Sequence, residues 1–218
     1  MSDIKKLIVK LIAKKEADKV VKKHHYSGKV TQNSQLSFGV FLNGVLLGAA
    51  QFGPSIDKRR MGKSLGIGMN ESLELNRLAI SDRLGKNAES RVLGICLKII
   101  KKNYPFIRCI ISFADACQCG DGIIYRASNF KLESYKINKS LLRTPSGEVV
   151  SDKTFNNDVQ KKYKGFEKKE CIKLIGFQMK YIYYFDKELE KKHKSIPFKD
   201  IPDNIKMYKG KKITLTDE

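Results

Sequence analysis

Residues 73–114 decide the fold: LELNRLAI (73–80), SDRLGKNAES (81–90), RVLGICLKIIKK (91–102) and, after Pro105, IRCIISFA (107–114). The first block alternates apolar and polar residues as far as Leu78, the period of a half-buried strand. Residues 89–102 bring Val92, Leu93, Cys96, Leu97, Ile99 and Ile100 to one helical face, and Pro105 lies just past the end. The apolar run at 107–114 reads as a buried central strand. Strand, helix and strand in succession predict a parallel pair with a right-handed crossover, hence an α/β fold.

Upstream, residues 36–42 and 45–52 are two strand-like runs joined by Asn43-Gly44, the strongest short hairpin signal. Further back, Ile4, Leu7, Ile8, Leu11, Ile12, Val20 and Val21 predict one amphipathic helix over 4–23. Residues 55–72, rich in Gly, Lys and Arg, read as a loop. Downstream come a short helix near 122–128, a strand at 132–137, a polar and basic excursion at 140–170, and a late strand within 171–185. That strand carries Tyr181, Tyr183, Tyr184 and Phe185, which read as core or as a base-stacking cluster. With no repeat and no boundary visible, the chain reads as one domain, 1–218, with its core at about 20–137. The basic part at 140–218 either completes the sheet or forms an arm on DNA.

The 218 residues are 41% hydrophobic and 30% charged, enough for a full core. No apolar run approaches the roughly 20 residues that span a bilayer. The opening MSDIKKLIVKLIAKK is broken by lysines and lacks a cleavage site, so the expectation is a cytoplasmic protein with no membrane partner. Forty-three Lys and Arg against 23 Asp and Glu leave a net charge of +20, which favours a polyanion: DNA, RNA or a phosphate-rich cofactor. The five cysteines suggest no disulfide framework, and Cys117-Gln118-Cys119 lacks the two further ligands of a tetrahedral zinc site.

Several residues can carry chemistry. Between the first strand and the helix, Gly85 allows close backbone approach and the helix start offers N–H groups and a positive dipole end. Arg83, Lys86 and Arg91 add charge there. This loop, with Asn87, Ala88 and Ser90, is a candidate phosphate or pyrophosphate cradle; the alternative is an ordinary helix start. Asp115 ends the second strand, where open α/β sheets place their ligands, and it follows Ser112 closely; it is either a base or the cap of the next turn. His25-Tyr26 sits in a Gly-bounded loop, a poised acid or base or a packed helix end. Arg77, mid-strand, needs an acceptor: a ligand's phosphate or carboxylate, or Glu74 or Asp115. Tyr125 can present a phenol as a proton donor or simply pack in the core.

Read together, HYSG (25–28), LSFGVFLNGVLLGAAQFG (36–53), ELNRLAISDRLGKNAESR (74–91) and IISFADACQCGDGIIYRASNF (110–130) resemble the Mom DNA-modification proteins of Mu-like phages. The likeness covers roughly residues 20–137. It implies a GNAT-like acyltransferase fold, a mixed central sheet flanked by helices. In that fold the hairpin leads into a strand whose following loop and helix hold an acyl-CoA pyrophosphate, and the next parallel strand splays away to open the site. The loop here has fewer glycines than the usual acyltransferase loop.

The resemblance further implies conversion of adenine in double-stranded DNA to an N6-carbamoylmethyl derivative, which blocks restriction. Site roles fall on His25, Tyr26, Arg77, Asp115 and Tyr125, with Ser112 added, and a cofactor loop on Arg83, Gly85, Lys86, Asn87, Ala88 and Ser90. The donor is an acyl-CoA or a glycine-derived group; no motif demands a metal ion. Two alternatives remain: a generic GNAT acetyltransferase acting on a protein or small-molecule amine, and a non-enzymatic nucleic-acid-binding protein. The second explains the charge and nothing about the Gly85 loop.

Overall fold

A computed structural model describes residues 6–118, 120–157, 163 and 165–201. Eight strands are hydrogen-bonded in the order β1-β2-β3-β4-β5-β8-β6-β7. They are β1 (Ile8–Leu11), β2 (Leu36–Leu42), β3 (Val45–Gly53), β4 (Ser72–Ile80), β5 (Cys109–Asp115), β6 (Lys131–Arg143), β7 (Val149–Ser151) and β8 (Ile172–Tyr184). The helices are α1 (Lys14–His24), α2 (Lys58–Leu65), α3 (Ala88–Asn103), α4 (Ile123–Ala127), α5 (Asp152–Asn156) and α6 (Lys187–Lys192). This is the mixed α/β sheet with flanking helices that the sequence predicts.

The described residues form two compact units that share strands β5, β6 and β8. The first holds 6–112, 124–131 and 181–195; the second holds 113–118, 120–123, the described part of 132–180, and 196–201.

In the first unit β1 to β4 are successively antiparallel. Asn43 and Gly44 turn the β2–β3 hairpin at φ 50° and 78°, the left-handed pair a tight hairpin needs. On one face Ala17, Val20 and Val21 of α1 pack against Ala49 and Ala79. Those small side chains let the helix sit close to the sheet. The opposite face carries Phe38, Val40, Ala50 and Phe52, all fully buried, with the two phenyl rings edge to face at 5.8 Å.

Two expectations need correction here. Residues 4–23 do not form one helix: Ile8–Leu11 is a strand pairing with β2, and the helix starts at Lys14. The open edge of β2 offers backbone partners, and the β-branched Ile8 and Val9 suit an extended chain, so pairing wins over helical periodicity. Nor are residues 55–72 all loop. Asp57 accepts the Arg60 N–H at 3.0 Å and opens α2, and Gly66, left-handed at φ 66°, closes it. Only Gly62 and Leu65 of that helix are buried, too little apolar face to show as a periodic pattern.

In the second unit β6 runs on to Arg143 and pairs with β7 through Leu141↔Ser151, Leu142↔Val150 and Arg143↔Val149. Leu142, Val150 and Tyr163 form one small core, and Cys117, Leu141 and Leu174 another. The polar excursion at 140–170 thus contains regular structure.

Phe38→Ala is expected to destabilise the chain by about 3–5 kcal/mol, by transfer and cavity costs together. Denaturant unfolding followed by circular dichroism checks this.

Candidate active site

The first unit's site is organised by two irregularities of β4. Toward β3, Gln51 pairs with Arg77 but Phe52 pairs with Leu75, so Asn76 is a bulged extra residue. The bulge resets the alternation: Leu75 faces with Phe52, whereas Arg77 and Ala79 turn to the α1 face. Toward β5, parallel pairing covers only Ser72↔Cys109, Leu73↔Ile110 and Glu74↔Ile111. Past those three pairs the strands part. Two buried side-chain oxygens follow, Asn76 Oδ1 and Ser112 Oγ, and neither has a hydrogen-bond partner among the described residues. Buried polar atoms are rarely left so; Gln51 Oε1 and Ser55 Oγ of the same unit share the condition.

His25, Tyr26 and Arg77 are brought together on the α1 side. The His25 and Tyr26 rings lie 4.2 Å apart. Arg77 Nε donates to the Lys29 carbonyl at 2.7 Å and Nη1 to the Asn76 carbonyl at 2.6 Å. Arg77 thus spends two of its five donors on backbone oxygens and keeps the others for an anion. The expected acceptor, Glu74, acts on it only through space; burial pushes the Glu74 carboxyl up, against the pull of Ser55, Asn76 and Arg77. Burial, helped by the charge of Arg77, pushes the His25 ring down to about 4. The Ser27 N–H donates to His25 Nδ1 at 3.2 Å, so the neutral ring carries its proton on Nε2 and offers a donor there. At neutral pH His25 is therefore a hydrogen-bond donor through Nε2 and a weak base.

Beyond β4, Asp82–Leu84 makes a single 3-10 turn capped by the Ser81 hydroxyl. Gly85 follows at φ 73° and ψ −174°, a conformation reserved for glycine, with open space where a Cβ would stand. Asn87, left-handed at φ 66°, starts α3 without a side-chain cap, so first-turn N–H groups are left for another acceptor. Arg83, Lys86 and Arg91 are exposed around it. The Ser90 hydroxyl is turned inward, donating to the Asn87 carbonyl at 3.2 Å, and Ala88 is buried. The backbone of 85–89 and the three cations therefore fit a phosphate; the Ser90 side chain adds nothing to that cradle.

Tyr125 on α4 packs against Phe130 and Tyr181, with ring centroids 5.6 and 5.4 Å away, and Arg126 Nη1 donates to the Tyr181 hydroxyl at 3.2 Å. Asp115 belongs to the second unit. Its Oδ1 accepts the Cys117 N–H at 2.9 Å and its Oδ2 accepts Asn138 Nδ2 at 2.8 Å, so it does cap the turn that follows it. Both bonds also hold the carboxylate in one orientation. Asn138, which no local motif announces, is the residue the sequence reading missed here. Asn76 was missed too, although the leucine spacing in LELNRL is two and then three, the signature of a bulge. Among the described residues no three of His, Cys, Asp and Glu gather as a metal site, and Cys119 lies outside them. No helix among them is long and apolar enough to cross a membrane.

The hairpin, the bulged strand, the glycine loop with its uncapped helix and the parting parallel strand define the class: a GNAT-like α/β fold. The chain belongs to the Mom protein family, whose family model matches residues 6–203. It is 35% identical over 129 residues to the methylcarbamoylase mom of Escherichia phage Mu, a match over 58% of this chain and 53% of that protein. The chain thus spans about half the length of the curated relative it matches. Among solved structures it is similar to the IAA acetyltransferase of Bacillus cereus, with a TM-score of 0.49, 10% identity, and coverage of 82% of this chain and 99% of that one. A polyamine N-acetyltransferase of Drosophila melanogaster matches with a TM-score of 0.48, 10% identity, and coverage of 82% and 100%. The fold assignment rests on strand order and register, not on these two scores.

The His25 ring is expected to titrate by NMR with a midpoint near 4, and Arg77→Ala is expected to raise it. The unfolded ring takes up its proton near pH 6.5 and the folded ring only near 4. Stability should therefore hold above pH 6.5 and fall as the pH drops toward 4, by about 3 kcal/mol at most. His25→Gln should flatten that fall in pH-dependent melts.

Proposed function

We propose that this protein is a DNA-modifying transferase that converts adenine in double-stranded DNA to its N6-carbamoylmethyl derivative in the cytoplasm of its host. The opening between β4 and β5 carries the reading. Beside it lies the buried Ser112 hydroxyl, which has no hydrogen-bond partner among the described residues and can take a polar donor group; Asn76 Oδ1, likewise without a partner, lies against Gly53 of β3, and Arg77 on the same strand keeps donors for an anion. Membership of the Mom family and likeness to a methylcarbamoylase support the choice of group. The net charge of +20 supports DNA as the partner.

Adenine N6 is a weak nucleophile inside a base pair, so the base is turned out of the duplex before it reacts, at a cost of a few kcal/mol. Asp115, held by Asn138 and the Cys117 N–H, accepts the N6 proton. The N6 lone pair forms a bond to the donor's methylene carbon, and the leaving group departs with the bonding pair and takes a proton from Tyr125. In the first unit His25, neutral and protonated on Nε2, offers a hydrogen-bond donor to a nucleobase, with the Tyr26 ring beside it. A glycine-derived donor matches this product: acyl transfer from an acyl-CoA would leave an amide on N6, whereas the proposed bond is to a methylene carbon. When bound, an acyl-CoA would supply an activated acyl group, its pyrophosphate on the Gly85–Asn87 backbone, Arg83 and Lys86.

That phosphate cradle also favours a second reading, a GNAT acetyltransferase acting on a protein or small-molecule amine. Nucleoside mass spectrometry of DNA from bacteria expressing the protein separates the two. A new adenine nucleoside heavier by a carbamoylmethyl group, lost with Asp115→Asn at equal expression, is the expected result. Unmodified DNA together with acetyl-CoA binding by calorimetry would establish the second reading. Gly85→Ala strains the loop and is expected to weaken any binding of an acyl-CoA several-fold in the same calorimetry.

A further inference from the structure

At the other end of β4 from the Gly85 loop, where β2 and β4 begin and β3 ends, the first unit contains a cavity of about 230 Å3. From Ser72 to Ser81 the strand rises about 3.3 Å per residue, so the cavity and the loop lie far apart. Leu36, Leu73 and Ile107 line its apolar side, and Tyr104 and Phe106 stand edge to face at 6.3 Å. Phe106 is 59% exposed and Met69 45%, so both lining side chains are accessible from outside. The volume is below the roughly 300–1,000 Å3 of a drug-sized pocket and suits one planar ring system.

One lining residue belongs to a cationic helix. This residue, Lys58, donates to Asn70 Oδ1 at 3.2 Å and opens α2, which carries Arg59, Arg60 and Lys63 as well. None of these four cations is ion-paired among the described residues. The two nearby carboxylates are occupied: Asp57 caps α2 through the Arg60 N–H, and Glu71 pairs with Arg108, itself bound to Asp186. An exposed ring such as Phe106, with the half-buried Tyr104 against it and unneutralised cations on the adjoining helix, is what a nucleic-acid strand recognises, with bases stacking and phosphates pairing.

We propose that this cavity holds one unpaired base of the DNA, with the α2 cations on the flanking phosphates. The assignment rests on DNA being the substrate, and it explains why α2, with almost no buried face, has four positive charges in eight residues.

The test is fluorescence anisotropy of the full chain with a labelled single-stranded deoxyoligonucleotide, its abasic counterpart and the RNA of the same sequence. Phe106→Ala and Phe106→Leu should each weaken binding of the base-bearing DNA about tenfold or more and leave the abasic strand unaffected. Phe106 is exposed, so neither variant threatens folding. Arg59→Ala with Arg60→Ala should lower the slope of log affinity against log salt by about 0.7 per charge for single strands. Unchanged affinity in the Phe106 variants, or tighter binding of the RNA, overturns the proposal and gives the cavity to another occupant. Nucleoside mass spectrometry of DNA from cells expressing the unaltered protein keeps the two readings apart. Modified DNA with unaffected variants removes only the cavity assignment. Unmodified DNA with the expected losses removes only the proposed reaction.

Discussion

The structure turns on how β4 is paired. Along one edge it is bonded to β3 almost throughout; along the other it is bonded to β5 for only three residues. A parallel pair that stops this early leaves backbone and side-chain polar groups of both strands without the sheet as their partner, and such groups must be satisfied elsewhere. The bulge at Asn76 sits just past the last paired residue, so the strand changes the face its side chains address where the gap opens. Leucines before it remain in the core, and Arg77 after it is delivered to the His25 side. Without the bulge, Arg77 would share the buried face of Leu75 and Phe52, where an unpaired guanidinium is too costly to keep.

Charge is distributed with the same economy. Arg108 is held between Glu71 and Asp186, and Lys180 is bound to Glu133, pairs that tie elements together. The cations of α2 and of the α3 entry loop have no such partners among the described residues and are exposed. Unneutralised charges at fixed positions on short, capped elements keep their attraction for phosphate and cost the fold little. His25 is the counterexample inside the site: burial and Arg77 together keep it neutral, so it contributes a donor without adding to the positive field.

Periodicity revealed the elements with large buried faces. The β2–β3 hairpin, β4, α3 and β5 each expose a long apolar pattern of one period, and Asn43-Gly44 and Pro105 mark their ends. It failed where two elements of different period abut. Ile8–Leu11 and Lys14–His24 together mimic one amphipathic helix, because their apolar residues fall near helical spacing across the break. It failed also for α2, whose caps Asp57 and Gly66 were readable although its two buried residues were not enough to signal a helix. Of the site, Arg77, His25 and Asp115 stood out as polar residues in apolar or glycine-bounded settings. Asn138 did not, since its only signal is a hydrogen bond to a residue 23 positions away.

The sequence alone thus determined the order of elements, the glycine loop before α3, the large positive charge and the residue types available for chemistry, all properties of local pattern or composition. Only the tertiary structure decided that β4 and β5 part after three pairs, that Asn76 is the bulged residue, that His25 is a neutral donor beside Arg77, and that Asp115 is aimed by Asn138. These depend on which strand edges meet and on how deeply each group is buried, and both are set by contacts between residues far apart in the chain.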